Sequence, residues 1–211
     1  MPLTSEQIER YSRQIIVPRV GGRAQERLLA SSICIAGEID DVEPALLYMA
    51  GAGVGRIELA LAAPGGEAGH LETSIRALNP DVTIAKPGSS PPDLLFAIIG
   101  SRNSVNQLEP LIAQFSQRPW VIARIDSPAR IAVLPSPSPC PRCCGGRLLS
   151  PFGERAANAR VVAMAATVEA FKLIAGYDED PGSTLVEFGE YESHSRGVSI
   201  DPRCACGRGG A

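Results

Sequence analysis

No apolar run in this 211-residue chain is long enough to span a bilayer, so the sequence gives no sign of a membrane-crossing helix. Its first residues, Met1-Pro2-Leu3-Thr4-Ser5-Glu6-Gln7, lack the basic and apolar regions of a signal peptide, and the chain reads as cytoplasmic. Charge of one sign is also scarce. The net charge is only −3 with no global basic patch, which argues against nucleic acid as the main partner. Repeats and extended low-complexity tracts are missing, apart from a short Pro/Ser run over residues 135–139. No linker divides the chain, so one domain over 1–211 is expected, long enough to bury a sizeable core. The two histidines, His70 and His194, stand alone without a nucleophile and read as surface residues.

A further scarcity is local. The stretch Ile33-Cys34-Ile35-Ala36-Gly37 is an apolar, β-branched run ending at a glycine, and Ala45-Leu46-Leu47-Tyr48-Met49-Ala50 has a helical pattern. Together they make the strand–turn–helix of a dinucleotide-type fold. Such turns carry several glycines, so that backbone N–H groups can approach phosphate at the helix N-terminus. Here the turn Gly37, Glu38, Ile39, Asp40, Asp41, Val42 holds one glycine, and its acids, with Glu43, put like charge where phosphate would sit.

What is present alternates strand and helix. Thr4 with Gln7 resembles a capping box opening a polar helix over Ser5–Arg13. Gly21-Gly22 reads as a turn and Arg23–Ala30 as a second helix. Strands are expected at Ser32–Ala36, Arg56–Leu61, Val82–Ala85, Leu94–Ile99 and Trp120–Ile125, with helices at Glu43–Ala52, His70–Leu78 and Val105–Phe115. Arg130–Leu134 reads as an antiparallel extension, Arg155–Ala175 as the longest helix, and Thr184–Phe188 and Val198–Ile200 as late strands. The expected fold class is α/β: a doubly wound, Rossmann-like, mainly parallel sheet with an antiparallel extension. The acidic run Asp178-Glu179-Asp180 reads as a solvated loop, and the tail from Gly207 as a flexible terminus.

Of the six cysteines, Cys34 lies in the first strand and reads as a small core residue. The others cluster as Cys140-Pro141-Arg142-Cys143-Cys144 and Cys204-Ala205-Cys206. Closely spaced pairs in an intracellular chain point to zinc more than to disulfides. Cys140, Cys143, Cys204 and Cys206 supply the four thiolates of a closed, structural Zn²⁺ site, held by loops 135–150 and 201–207. The Cys-x-Cys pair is short for a chelate, Cys144 is an alternative ligand, and unmetallated thiols are the competing reading.

Arg10-Tyr11-Ser12-Arg13-Gln14-Ile15, Gln25-Glu26-Arg27-Leu28-Leu29, Tyr48-Met49-Ala50-Gly51-Ala52-Gly53-Val54-Gly55, Arg76-Ala77-Leu78-Asn79-Pro80, Cys140-Pro141-Arg142-Cys143 and Glu169-Ala170-Phe171-Lys172-Leu173-Ile174-Ala175-Gly176 follow one another in a shared order. In that order and spacing the chain resembles the ThiF/MoeB/HesA group of ubiquitin-activating-type adenylyltransferases. The resemblance implies ATP-dependent adenylation of the C-terminal glycine of a ubiquitin-like protein or peptide. That chemistry needs a phosphate cradle, cations, a metal-binding carboxylate and a ribose-binding acid.

Position by position, the resemblance implies losses. Three of the four cradle glycines become Ile39, Asp40 and Val42. The ribose acid falls on Leu61, and the metal-binding Asp falls on Gly100, beside Ser101 and Arg102. Residues 62–74 contain no Lys or Arg, and no acceptor cysteine precedes the long helix. ATP binding is therefore not expected, and no residue of this chain is expected to be catalytic by itself. Arg13 is retained, and the resemblance implies that it reaches across a dimer, either as an in-trans cation or as an interface contact. The expected role is a pseudoenzyme: dimer partner or scaffold, in a homodimer or a heterodimer with an active family member, acting on a ubiquitin-like protein or peptide, with residues 1–31 in the interface. A working adenylyltransferase with an unusual loop is the alternative. A crevice repurposed for another ligand, using Ser101, Arg102, Asn103, Arg124 and Asp126, is a third.

Overall fold

The computed structural model describes residues 2–18, 20–61, 67–85, 88, 90–136, 138–177, 181–189 and 192–207. The acidic run at 178–180 and the tail beyond 207 lie outside them. Eight strands form one sheet: β1 (Ser32–Gly37), β2 (Arg56–Leu61), β3 (Thr83–Ala85), β4 (Leu94–Ile99), β5 (Trp120–Arg124), β6 (Ala129–Leu134), β7 (Thr184–Phe188) and β8 (Ser193–Gly197). Their order is β3-β2-β1-β4-β5-β6-β7-β8. Pairing is parallel from β3 through β5 and antiparallel from β5 to β8. The α/β sheet with an antiparallel extension is thus as expected.

The apolar runs explain the layering. Successive residues of a strand face opposite sides of a sheet. On β1 and β4, Ile33, Ile35, Phe96 and Ile98 enter one core, while Cys34, Ala36, Leu95, Ala97 and Ile99 enter the other. The first core is covered by α4 (Ile39–Ala52), α5 (Glu67–Leu78) and α8 (Ala159–Ala175) through Leu46, Met49, Ile75, Val162 and Ala166. The second is covered by α6 (Arg102–Phe115) through Leu108 and Ile112, and by Leu148 of α7 (Gly146–Leu149). Strands buried on both faces read as continuous apolar runs, as Leu94–Ile99 does.

Several boundaries differ from the sequence reading. The first helix breaks at Tyr11 into α1 (Ser5–Arg10) and α2 (Ser12–Ile15). Tyr11 is buried there, its hydroxyl donating to Asp81 at 2.9 Å and accepting from Asn79 at 2.9 Å. The Thr4–Gln7 capping box is present. α3 (Gly21–Ala30) begins at Gly21 rather than after a Gly-Gly turn. α6 starts at Arg102 because the Ser101 hydroxyl accepts from the Asn103 and Ser104 N–H groups. α8 starts at Ala159, four residues later than expected. The last strand is Ser193–Gly197, not Val198–Ile200. β8 is an edge strand exposed along its length, so it needs no apolar alternation and left none to read.

The largest revision concerns Gly37–Val42, expected as a loop. Gly37 ends β1, Glu38 is the extended N-cap residue, and Ile39–Val42 form the first turn of α4. Asp40 and Asp41 sit where the helix dipole favours negative charge. Pro44 imitates a helix-starting proline, but here it lies inside α4, which runs on because Val42, Leu46 and Met49 bury one continuous face.

Candidate functional site

The sheet changes winding direction between β1 and β4, whose C-terminal ends flank the crevice where such folds hold ligands. At the end of β1, Gly37 has φ 143°, and a Cβ there would lie 2.6 Å from the Ile98 carbonyl oxygen. Only glycine fits this approach to β4. Across the crevice, a Cβ built on Gly100 would collide with the Asp41 carboxylate, so Asp41 fills the space at the end of β4. Its side chain is 4% exposed and accepts from the Arg155 guanidinium at 2.6 Å. That hydrogen bond and the nearby acids strengthen the protonated form of Arg155 against its partial burial. Beside it, the Ser101 hydroxyl donates to the Glu38 carboxylate. Glu38 and Asp41 are therefore bound within the chain, tying the β1–α4 junction to the start of α6 and the loop before α8.

The other crevice positions are also placed. Leu61 ends β2 beside Gly37, and its carbonyl accepts from the Gln107 side chain at 2.8 Å. Arg124 is buried, donating to both Asp126 oxygens at 2.6 and 2.5 Å and to the carbonyls of Leu148, Ser150 and Pro151. These bonds, with a backbone N–H from Gly153, outweigh burial and lower the Asp126 pKa. Arg102 and Asn103 are exposed in the first turn of α6. Ser101, Arg102, Asn103, Arg124 and Asp126 thus do not converge: the Arg124–Asp126 pair closes on itself, and Ser101 caps a helix. A cleft of about 470 Å³ opens beside Asp41, between Asp40, Glu43, Arg155 and Arg160 over Ile125 and Met164.

Arg13 is exposed on α2. Near it, Gln14, Val17, Tyr48, Leu78 and Phe171 line an apolar groove of about 830 Å³, and Ile16 is 78% exposed.

The four predicted cysteine ligands come together, all their sulfurs lying within 4.8 Å of one another. Cys140 is the N-cap of a 3₁₀ turn over Pro141–Cys144 that contains Cys143, and Cys206 lies in another over Ala205–Gly207. The Sγ atoms of Cys140 and Cys204 are 3.5 Å apart, and those of Cys143 and Cys206 are 3.4 Å apart. A tetrahedral Zn²⁺ with bonds of about 2.3 Å has sulfur–sulfur edges of about 3.8 Å, so the set fits such an ion with small adjustment. The short Cys-x-Cys spacing does not prevent convergence. Cys144 takes no part, being buried in the core beside Leu148. Burial pushes the Cys140 thiol up to about 12, whereas at Cys206 burial is outweighed by hydrogen bonds that bring it down to about 7.

Sequence reasoning missed Arg155 and the Glu38–Ser101 contact. Their partners are 114 and 63 residues away, and only the sheet order brings them together.

The fold and crevice define a class: a doubly wound α/β protein whose ligand position lies at the β1/β4 switch point. Within that class, no protein-family model matches the chain. The chain is similar to the adenylyltransferase and sulfurtransferase uba4 of Neosartorya fischeri, 48% identical over 58 residues, which are 28% of this chain and 12% of that protein. It is 40% identical to the vegetative HesA protein of Trichormus variabilis over 85 residues, 40% of this chain and 31% of that one. Its relatives in sequence are thus adenylyltransferases of the ThiF/MoeB/HesA type, matched over less than a third of their length. A crystal structure of E. coli MccB with ATP shares the fold, with a TM-score of 0.70 over 97% of this chain and 76% of that one at 16% identity. Among the described residues, no helix is long and apolar enough to cross a membrane.

Proposed function

We propose that this chain is a catalytically silent relative of the ThiF/MoeB-type adenylyltransferases, acting as a dimer partner or scaffold in the activation of a ubiquitin-like protein, sulfur carrier or peptide. The observation that carries this reading is Asp41, whose carboxylate occupies the space at Gly100 and is already paired with Arg155. An anionic triphosphate would have to displace one carboxylate, break the Glu38–Ser101 bond and lie against Asp40. Each step opposes binding through like charge or lost hydrogen bonds. No single loss of a glycine does as much, because the acids do more than vacate the cradle: they fill it.

The apolar groove beside α2 supports a dimer, since Val17, Tyr48 and Leu78 are exposed around it. In a heterodimer, Arg13 would reach the ATP of an intact partner. In a homodimer it would meet the partner's acidic turn instead of phosphate, converting a catalytic contact into an ion pair. The cysteine cluster holds structural zinc in this reading, with Cys140, Cys143, Cys204 and Cys206 as ligands. Zinc with four thiolates has no open position, so it supplies stability and no chemistry.

The alternative is an active adenylyltransferase, favoured by the family of the sequence relatives and by the ATP in the MccB crystal structure. Calorimetric titration of the folded chain with Mg²⁺–ATP, followed by pyrophosphate exchange, separates the two. The silent reading expects no heat of binding and no exchange. Exchange with a ubiquitin-like protein or peptide present would replace it with the alternative. Arg13→Ala should leave the fold intact and weaken either dimerisation or a co-purifying partner's adenylation; an unchanged result in both assays removes the in-trans role.

A further inference from the structure

We propose that the cysteine cluster is a site of reversible oxidation in which the sulfurs pair across segments, Cys140 with Cys204 and Cys143 with Cys206. Two disulfides would then take over from the metal in clamping residues 201–207 to the turn at 140–144. This rests on the metal-centre reading only for what is displaced; the pairing itself rests on the sulfur geometry.

Four cysteines allow three pairings. The one closing within each segment joins Cys204 to Cys206 across a single residue, a small ring that distorts disulfide torsion. The pairing of Cys140 with Cys206 and Cys143 with Cys204 joins sulfurs that also lie within 4.8 Å of one another. The remaining pairing matches the separations of 3.5 and 3.4 Å. Each pair needs to close by only about 1.4 Å to reach a disulfide bond of about 2.05 Å. The flanking contacts already hold the segments together: the Ser138 hydroxyl donates to the Cys206 carbonyl at 3.0 Å, and the Cys143 Sγ accepts from the Asp201 N–H at 3.5 Å. Cys143, Cys204 and Cys206 are partly exposed, so a small oxidant reaches three of the four. Cys144 is buried in the core and stays outside the exchange.

The oxidant is hydrogen peroxide. One thiolate attacks the peroxide oxygen, breaking the O–O bond and expelling hydroxide to leave a sulfenic acid. Its partner thiolate then attacks that sulfur and expels a second hydroxide. With two protons taken up, each disulfide consumes one peroxide and yields two waters. Two such steps remove all four thiolates, and the Zn²⁺ is released unchanged in oxidation state. A thiol reductant reverses both.

The test uses the full chain, zinc-loaded, treated with two equivalents of hydrogen peroxide. Released metal is read with a chromogenic chelator, and linkages are read by non-reducing peptide mapping. The expected map contains Cys140–Cys204 and Cys143–Cys206 peptides, one metal released per chain, and recovery with reductant and zinc. A Cys140–Cys143 or Cys144 linkage, or sulfinic acid without cross-links, overturns the proposal. In paired variants, Cys143→Ser with Cys206→Ser should form its remaining disulfide about tenfold faster than Cys143→Ser with Cys204→Ser, by thiol proximity. Equal rates would also overturn it. A purified chain that takes up no zinc refutes the metal centre separately, and the map of the metal-free chain still decides the pairing.

Discussion

Asp41 shows how one side chain can redefine a site. It stands in the first turn of a helix, as an anion-binding turn requires, but the anion it offers the helix is its own. Two predictions follow from its contacts. Gly100→Ala would push against the Asp41 carboxylate and should destabilise the chain by about 1–3 kcal/mol in urea unfolding, the usual cost of overpacking. Adding Asp41→Ala should recover much of that loss, because the clash and the substitution share one partner. Independent, additive effects would show that Asp41 does not hold the space. Arg155→Ala strands a buried carboxylate and should cost about 1–3 kcal/mol, although half of Arg155 is exposed and solvent already screens it. None of this was legible in the sequence. The acids were visible at 38, 40, 41 and 43, but an acidic turn reads as repulsive until its cation is known. Arg155 carries no local sign of its partner.

At the scale of elements, legibility followed burial. Leu94–Ile99 and Arg56–Leu61 were read to the residue because runs of apolar or alternating side chains record how many faces are covered. β8 was misplaced because an exposed edge strand records nothing. The start of α4 was misplaced because Gly37–Val42 was read as a phosphate-type turn, whereas Ile39–Val42 form the first turn of the helix. Its end was read correctly: Gly53 is the left-handed C-cap, at φ 87°, and a Cβ there would lie 2.8 Å from the Tyr11 ring and the Gln25 amide. Gly53→Ala should therefore cost more than about 1 kcal/mol, beyond the strain of the turn alone, and Tyr11 is too buried to yield. The capping box at Thr4 makes a milder case. Thr4→Ala should lower stability by about 1 kcal/mol, read from the denaturant midpoint at constant m-value.

For the whole molecule, pH exposes the buried acids. Burial raises Cys34 from 9.0 to about 12 and Tyr11 from 10.0 to about 12. Below pH 9 both keep their protons whether folded or unfolded. Above it the unfolded chain releases them first, so stability should fall from pH 9 towards 12. Cys34→Ala should make the decline between pH 9 and 10 shallower when urea midpoints are compared. Asp126 acts in the opposite sense. Its pKa is lowered from 3.8, so its contribution is present above that pH and disappears as the pH drops through its folded value. In a zinc-loaded preparation, chelation should loosen residues 201–207, and trypsin should then cut after Arg203 faster than before chelation; equal rates would place the clamp elsewhere. The cluster's ligands also have an order in time. Cys140 and Cys143 emerge from the ribosome first, and their counterparts lie 64 and 63 residues later. Between them come α8 and the last two strands. A nascent chain cannot bring the four thiols together until the edge strand β8 has been synthesised, so a metal held by this cluster would be captured only after the sheet is complete, and a chain stopped before that point would carry a half-site.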